Sequence, residues 1–170
     1  MSPDAPYGSA RLVLMPLQSE QDVVLCRNRA RIIAAALGFD RQQQVRIATA
    51  VSEIARNAFR YAGSATAEFL LTSNRTSTRR KQSFVTVVHD QGPGIPDLPS
   101  ILAGTHQGVT GVAMGILSAK RLMDSVHIET GASGTTVRLD QELPRIVSRR
   151  KCSSCPLPLC NYGRVLSLCR

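Results

Sequence analysis

A Glu–Asn pair on one predicted helix, followed by a strand that ends in an Asp-Gln-Gly-Pro-Gly turn, is the feature that most constrains this chain. Glu53 and Asn57 are four residues apart, which places both side chains on one face of a helix. Residues 84–90 predict a strand, and Asp90 stands at its end, where ligands of α/β sheets tend to bind. The amide could hold a metal ion on a phosphate while the carboxylate takes a proton nearby. In this order, the two segments predict a nucleotide site.

Two capped helices are predicted in the first third of the chain. The first covers residues 19–37, between a capping pattern at Ser19 and a glycine stop at Gly38. The second begins at the capping pattern Asp40–Gln43 and ends at Gly63. Its apolar residues predict one buried stripe that consists of Val45, Ala48, Val51, Ala55 and Phe59. The Glu–Asn pair falls beside this stripe rather than in its middle.

The remaining segments predict strands that pair as hairpins. Strands are predicted at residues 10–17, 65–71, 84–90, 125–130 and 135–140. A third helix is predicted from Gly115 to Asp124. It is preceded by a long Gly- and Pro-rich loop from Gly92 to Gly111, with one short helical turn around Ile101. Loops of this length are usually functional lids or disordered segments.

The predicted order is β-α-α-β-β-lid-α-β-β, and it favours a two-layer α/β (α+β) sandwich. Because the strands cluster in hairpins, the sheet is predicted to be mixed but mostly antiparallel, with helices on one face. No GxGxxG pattern opens a helix after the first strand, which argues against a Rossmann fold.

The chain is predicted to consist of an N-terminal extension at 1–9, a domain at 10–140 and a tail at 141–170 that differs from the domain in charge. The tail carries six Lys/Arg and one Asp/Glu, or +5, and residues 1–140 carry fifteen and eleven, or +4. A mildly basic domain suits an anionic ligand or an acidic partner protein. Specific nucleic-acid binding is not predicted, because only 4% of the residues are aromatic.

No apolar run approaches the ~20 residues of a membrane span, and residues 1–10 lack the features of a signal peptide. The expected location is the cytoplasm.

The cysteines separate into one domain residue and four tail residues. Cys26 lies in the first predicted helix and is expected to be an inert core residue. The tail holds Cys152, Cys155, Cys160 and Cys169. Their spacing contains only one C-x-x-C pair, so metal binding, redox or incidental thiols and a disordered appendage all stay open.

Four motifs in order resemble the GHKL ATPase/kinase superfamily, in its anti-sigma-factor serine/threonine kinase branch, nearest to stressosome switch kinases. SEIARNAFRYAG at 52–63 is similar to the family's N box, and DQGPGIPD at 90–97 to its first glycine box. GVAMGILSAKRLMD at 111–124 is similar to the second glycine box, and SGTTV at 133–137 to the final Gly-Thr motif. The resemblance covers about residues 10–140 and implies a Bergerat-type ATP-binding fold.

The resemblance also implies roles for individual residues with Mg-ATP. Asn57 would coordinate Mg²⁺ between the phosphates, Glu53 would be the general base, and Asp90 would accept a hydrogen bond from the adenine amino group. The backbone would bind the nucleotide at the remaining implied positions, which are Gly92, Gly94, Gly111, Ala113, Met114 and Gly115. Thr135 or Thr136 would support the adenine through a hydroxyl group.

A Glu at position 53 is typical of the family members that phosphorylate Ser or Thr, whereas the histidine kinases usually carry Asn there. The resemblance therefore implies a protein serine/threonine kinase whose substrate is an antagonist protein with a STAS-type domain. A sigma factor or a phosphatase activator would be the second partner, and a homodimer stays open. The alternatives are an ATP-binding anti-sigma factor or partner-binding module without phosphotransfer, and a detached histidine-kinase ATPase domain.

One departure from the family pattern lies in the second glycine box, where Ala113 replaces a glycine. If that position requires a positive φ angle, alanine costs about 1 kcal/mol or more there. This departure favours the binding-only alternative.

Overall fold

The computed structural model of the protein describes residues 8–75, 80–103 and 111–144. In chain order its elements are β1 (Gly8–Leu17), α1 (Glu20–Ala36), α2 (Arg41–Ala62), β2 (Ala65–Arg75), β3 (Arg80–Asp90), α3 (Leu98–Ala103), α4 (Gly111–Leu122), β4 (Ser125–Gly131) and β5 (Gly134–Glu142). None of the described helices has the length and apolarity needed to cross a membrane.

The five strands form one sheet in the order β1-β2-β3-β5-β4, and every described pairing is antiparallel. The predicted two-layer α/β fold is therefore confirmed, with a sheet more uniformly antiparallel than the mixed one predicted. In the register of the sheet, Asp90 pairs with Ala65 on one side and with Thr135 on the other. This register brings the first glycine box and the Gly-Thr motif to the same end of the sheet.

Capping groups begin and end the two long helices where the sequence predicts. The Ser19 Oγ accepts a hydrogen bond from Asp22 N at 3.2 Å at the start of α1. At the start of α2, Gln43 N donates to Asp40 Oδ1 at 2.7 Å, and Asp40 N donates to Gln43 Oε1 at 3.2 Å. These bonds satisfy backbone donors that a helix terminus leaves free. The α2 helix ends at Gly63 in the left-handed conformation.

The core lies between the sheet and the helices, and the buried face of α2 differs from the predicted stripe. Ala48, Val51 and Ala55 are buried, but Val45 is 54% exposed. The central buried residues of α2 are Ile47, Val51, Ile54 and Ala58. At about 100° per residue, Val45 lies about 160° from Ile47 around the helix, so it faces solvent. The prediction for Val45 was wrong because the true stripe is rotated toward α4 and the sheet.

The predicted third helix corresponds to α4, which begins one turn earlier than expected. The prediction of Gly115 to Asp124 is corrected to Gly111–Leu122. Glycine disfavours helix by about 1 kcal/mol, which is why the sequence placed the start later. In the structure, Val112 packs against the core and Ile116 is 1% exposed, and burial of this apolar face outweighs the propensity.

The segment predicted as a tail, residues 141–170, begins inside β5 rather than after it. The β5 strand runs to Glu142, and Leu143 N donates to Gln82 O at 2.9 Å. Residues 145–170, with all four tail cysteines, lie outside the described residues. Residues 104–110 of the predicted lid lie outside them as well.

Cys26 is fully buried in α1, and burial raises the pKa of its thiol to about 12 from its ordinary 9.0. The fold favours the neutral thiol, so this contribution to stability is present below the ordinary pKa and is lost as the pH rises toward 12. Because the thiolate is the reactive form, we expect iodoacetamide at about pH 8 to leave Cys26 unlabelled in folded protein and to label it in guanidinium chloride. Mass spectrometry of the peptide that contains residue 26 measures this. Equal labelling in both states would contradict it.

Candidate functional site

A mostly apolar cavity of about 390 Å³ lies between α2, the end of β3, the following loop and the start of α4. Its volume falls in the range of small-molecule sites. The polar residues of its wall are Asn57, Tyr61, Asp90 and Thr135. The apolar wall is formed by Ile54, Ala58, Val88, Pro93, Ile95, Pro96, Ile101, Val112, Ile116 and Val137, with Gly92 and Gly94 beside them. A flat apolar group with a few hydrogen-bonding atoms at its edge fits such a wall.

Asp90 is held in one orientation at the wall of this cavity. Its Oδ1 accepts hydrogen bonds from Gly92 N at 2.9 Å and from Thr135 N at 3.2 Å. No described residue donates to Oδ2, which leaves this oxygen as an acceptor for a ligand. An amino group of a heteroaromatic ring is a donor that matches it.

The loop after Asp90 is hydrogen-bonded to the end of β4. Ile95 N donates to Thr130 Oγ1 at 2.8 Å, and Thr130 Oγ1 lies 3.0 Å from Thr135 Oγ1. Gly94 has a φ of 83°, and a Cβ there would lie 2.5 Å from Gly131 O. Only glycine combines that backbone conformation with this close approach. The first glycine box is therefore fixed against the Gly-Thr motif, and both line the cavity.

Asn57 joins α2 to the second glycine box. Its Nδ2 donates to Val112 O at 3.5 Å, so its Oδ1 is the atom available to a cation. A Cβ at Gly115 would lie 2.5 Å from Asn57 Nδ2, which explains why α4 carries a glycine in its interior. An amide oxygen is a ligand that Mg²⁺ accepts, and such sites usually take their other ligands from phosphates and water. The described residues around Asn57 thus fit a metal–nucleotide ligand.

Glu53 lies one turn before Asn57 and is not among the residues that line the cavity. Its Oε1 forms an ion pair with Arg56 Nη1 at 3.4 Å, and its side chain is 33% exposed. The carboxylate is therefore reachable from outside the cavity. A macromolecular hydroxyl group could approach it while a nucleotide occupies the cavity.

The four implied positions of the second glycine box lie in the first turns of α4. Gly111 is exposed, Met114 is 56% exposed, Ala113 is 6% exposed, and Gly115 is buried against Asn57. None of these four lines the cavity itself, whereas their neighbour Val112 does. Ala113 is helical and has no positive φ. The penalty expected for an alanine at a left-handed position therefore does not apply.

The structure separates the two threonines predicted to support an adenine ring. Thr135 is 5% exposed and lines the cavity. Thr136 lies on the opposite face of the sheet, where its Oγ1 is 2.9 Å from His89 Nδ1. The strand alternation makes this unavoidable, because neighbouring residues point to opposite faces. Thr136 is therefore not brought to the cavity, and Thr135 stays the candidate.

The sequence reasoning missed Tyr61 and the aliphatic wall of the cavity. Tyr61 is four residues after Asn57, so helical spacing could have placed both on one face. Its hydroxyl oxygen lies 3.5 Å from a Cβ built at Gly111, close to the start of α4. Ile95 comes from the loop after β3 and Ile101 from the short helix α3, where the sequence has little periodicity to show which side chains turn inward.

Comparison of the sequence with known proteins identifies its family. Residues 16–140 match the family model described as a histidine kinase-like ATPase domain. Over 123 residues the chain is 34% identical to the serine/threonine-protein kinase RsbT of Bacillus subtilis (strain 168), a match that covers 72% of this chain and 90% of that protein. Among solved structures, the histidine kinase domain from the Erythrobacter litoralis EL346 blue-light activated histidine kinase is 22% identical, with a TM-score of 0.40. That match covers 76% of this chain and 62% of that domain, so the chain spans less than two thirds of its length.

Proposed function

Because the chain belongs to the histidine kinase-like ATPase family, we propose that it is an ATP-dependent protein serine/threonine kinase of a partner-switching system. The match confirms the resemblance that the four motifs predicted. The observation that carries the proposal is the placement of two candidate side chains along α2. Asn57 lines the cavity together with Asp90, while Glu53 stands one turn away with its carboxylate open to solvent.

The cavity would bind the adenine of ATP between its aliphatic walls. Asp90 Oδ2 would accept the hydrogen bond of the adenine amino group, since Oδ1 is occupied by two backbone donors. The start of α4 would face the phosphates, because the first N–H groups of a helix have no partners within the helix and attract anions. Asn57 Oδ1 would hold Mg²⁺, which when bound neutralises charge on the phosphates.

Glu53 would act as general base on a protein hydroxyl group. The carboxylate accepts the hydroxyl proton while the hydroxyl oxygen forms a bond to the γ-phosphorus. The bond between that phosphorus and the β–γ bridging oxygen breaks, and ADP leaves. Positioning and charge neutralisation supply most of the catalysis in such transfers, and a positioned base contributes about 10²–10⁴-fold. The Arg56 guanidinium beside Glu53 would hold the carboxylate in place until the substrate arrives.

The kinase domain would span residues 10–140 and the end of its last strand at Glu142, and the remaining residues up to 170 would form a basic appendage. The protein substrate would be a STAS-type antagonist, and a sigma factor or a phosphatase activator would bind the kinase once the antagonist is phosphorylated. These assignments rest on the similarity to RsbT. The helical conformation of Ala113 removes the sequence argument that favoured binding without transfer.

The proposal is tested by phosphotransfer from γ-labelled ATP to a purified STAS-domain protein from the same organism. We expect label on the STAS protein in the presence of Mg²⁺, and no label when its acceptor Ser or Thr is replaced by Ala. Label on a histidine would instead support the histidine-kinase alternative. ATP binding without any transfer would support the binding-only alternative.

Replacement of Asp90 by Asn is expected to weaken Mg-ATP binding at least ~10-fold, which corresponds to about 1.4 kcal/mol. The amide presents a donor where the adenine amino group requires an acceptor, or turns its oxygen away from Gly92 N and Thr135 N. Isothermal titration calorimetry measures the affinity. Asp140→Asn is the matched control, because Asp140 lies on the other sheet face and pairs with Arg138. Equal affinities of the wild type and Asp90→Asn would refute the adenine assignment.

A further inference from the structure

The α1 helix is apolar on two sides, and the described residues cover only one of them. Val23, Cys26, Ala30 and Ala34 face the core and are buried. On the other side the largest apolar side chains are exposed. They are Val24 at 57%, Leu25 at 56% and Ile32 at 61%. A surface helix usually carries polar residues on its outer side, so this exposed apolar side requires an explanation.

The outer residues of α1 follow the spacing of a helix-pairing surface. Gln21, Leu25, Asn28, Ile32 and Ala35 are separated by four, three, four and three residues, and all five are exposed. We call these five residues the outer seam. Alternating intervals of three and four residues place side chains along one line of contact with a second helix. A polar residue at the centre of such a line, here Asn28, fixes register and orientation.

From Leu25 to the end of α1, the charges beside the outer seam are all of one sign, whereas Glu20 and Asp22 lie in the first turn. Arg27, Arg29 and Arg31 are exposed, and none of them forms an ion pair with a described residue. No Asp or Glu occurs between residues 23 and 39. If α1 paired with α1 of a second copy, the arginines of both copies would meet along one seam, and like charges there are unfavourable. A helix with acidic flanks complements the same surface.

We propose that the outer seam docks an amphipathic helix of a partner protein, with aliphatic residues facing Leu25 and Ile32 and acidic residues facing the arginines. A membrane is a poorer match, because the outer seam has no aromatic side chain and Asn28 lies at its centre. The other side of α1 is also fixed in the core, so the helix cannot sink into lipid. No α1 residue lines the nucleotide cavity. The docking is therefore independent of the proposed kinase activity, and either proposal can fail alone.

A synthetic heptad peptide with Leu and Ile at positions a and d and Glu at e and g is the first probe. Its Glu residues oppose self-pairing and match the arginines of α1. We expect the full chain to bind this Glu peptide saturably in fluorescence anisotropy without nucleotide. The same peptide with Lys at e and g should bind at least ~10-fold more weakly. In NMR spectra of the full chain, the amide shifts should change along residues 20–36.

The variant Leu25→Asp should weaken binding of the Glu peptide at least ~10-fold, as expected for a central apolar contact. Val45→Asp is the matched control, because Val45 is 54% exposed on α2 and lies outside the outer seam. It should change the affinity less than ~2-fold. Reversal of charge in Arg29→Glu/Arg31→Glu should invert the preference so that the Lys peptide binds more tightly. Circular dichroism melts establish that each variant is folded, and Ile32→Asp replaces Leu25→Asp if that variant is not.

Several outcomes would overturn the proposal. These are no saturable binding, shift changes confined to other elements, or an effect of Val45→Asp equal to that of Leu25→Asp. Binding to phosphatidylglycerol vesicles that Leu25→Asp abolishes would assign the surface to lipid. A dimer in light scattering that Leu25→Asp dissociates would assign it to a second copy.

Discussion

Replacement of Gly134 by alanine is expected to lower the free energy of unfolding by about 3 kcal/mol or more. Gly134 has a φ of 133°, and a Cβ there would lie 2.0 Å from Asp90 O. An unfavourable backbone conformation costs about 1–3 kcal/mol, and overpacking in a close-packed region adds about 1–3 kcal/mol. The obstacle is a backbone carbonyl at the end of the central strand β3, which cannot rotate away as a flexible side chain can. Urea denaturation, followed by circular dichroism, measures the change.

Gly131→Ala is the matched control, because Gly131 pairs with Gly134 across the same turn. A Cβ at Gly131 meets no atom within 4 Å, and its φ is not positive. We expect this variant to stay within about 0.5 kcal/mol of the wild type, as surface substitutions usually do. Equal effects of the two substitutions would contradict the close approach between Gly134 and β3.

The close approach of Gly134 to Asp90 also links the stability of the fold to the proposed nucleotide site. The same Cβ would lie 3.0 Å from Asp90 C and from Gln91 Cα, so the alanine must push β3 and β5 apart where Asp90 and Thr135 pair. The hydrogen bond from Thr135 N to Asp90 Oδ1, at 3.2 Å, spans that gap. Gly134→Ala should therefore weaken ATP binding even at temperatures where the protein stays folded.

Local signals in the sequence were sufficient for most of the fold. The capping patterns at Ser19 and at Asp40 with Gln43 each involve residues close in sequence, so tertiary packing is not needed to recognise them. The hairpins were predictable for a similar reason. Each pairs neighbouring strands, and alternation and turn residues mark both members. Because every strand except β1 belongs to such a hairpin, the two-layer architecture could be predicted as well.

The sequence was less informative about positions whose burial or conformation depends on contacts with neighbouring elements. Val45 was placed in the buried stripe because it matches the helical period, but its exposure depends on where α4 and the sheet contact α2. The start of α4 was placed too late because glycine disfavours helix in isolation. Only the packing of Gly115 against Asn57 shows why a glycine is kept there.

The candidate site was predictable in part, because its motifs lie on or next to regular elements. Asp90 ends β3 and Asn57 projects from α2, so their positions follow from the element boundaries. The choice between Thr135 and Thr136 was left open, although the apolar Val137 and Leu139 alternate with Thr135 and place it on the buried face of β5. The aliphatic wall includes Ile95 from an aperiodic loop and Ile101 from the short helix α3, and their inward orientation could not be predicted from the sequence.

Asn57→Ala and Glu53→Gln are expected to separate nucleotide binding from phosphotransfer. Asn57→Ala removes the oxygen assigned to Mg²⁺ and the bond to Val112 O. We expect Mg-ATP affinity to fall ~100-fold or more, about 2.7 kcal/mol. Glu53→Gln keeps the shape of the side chain outside the cavity but cannot take a proton. Its Mg-ATP affinity should change less than ~3-fold, while transfer to the STAS protein falls ~10²–10⁴-fold.

The separation depends on two controls measured by calorimetry and by label transfer under the same conditions. Gln42→Ala removes an exposed amide from the first turn of α2 and should change neither quantity. Arg56→Ala removes the ion pair with Glu53 at 3.4 Å but leaves the base. Since exposed ion pairs contribute little, it should reduce transfer far less than Glu53→Gln does. If Glu53→Gln transfers phosphate at the wild-type rate, Glu53 is not the base. If Asn57→Ala binds Mg-ATP normally, the metal is held elsewhere, and the division of roles along α2 is wrong.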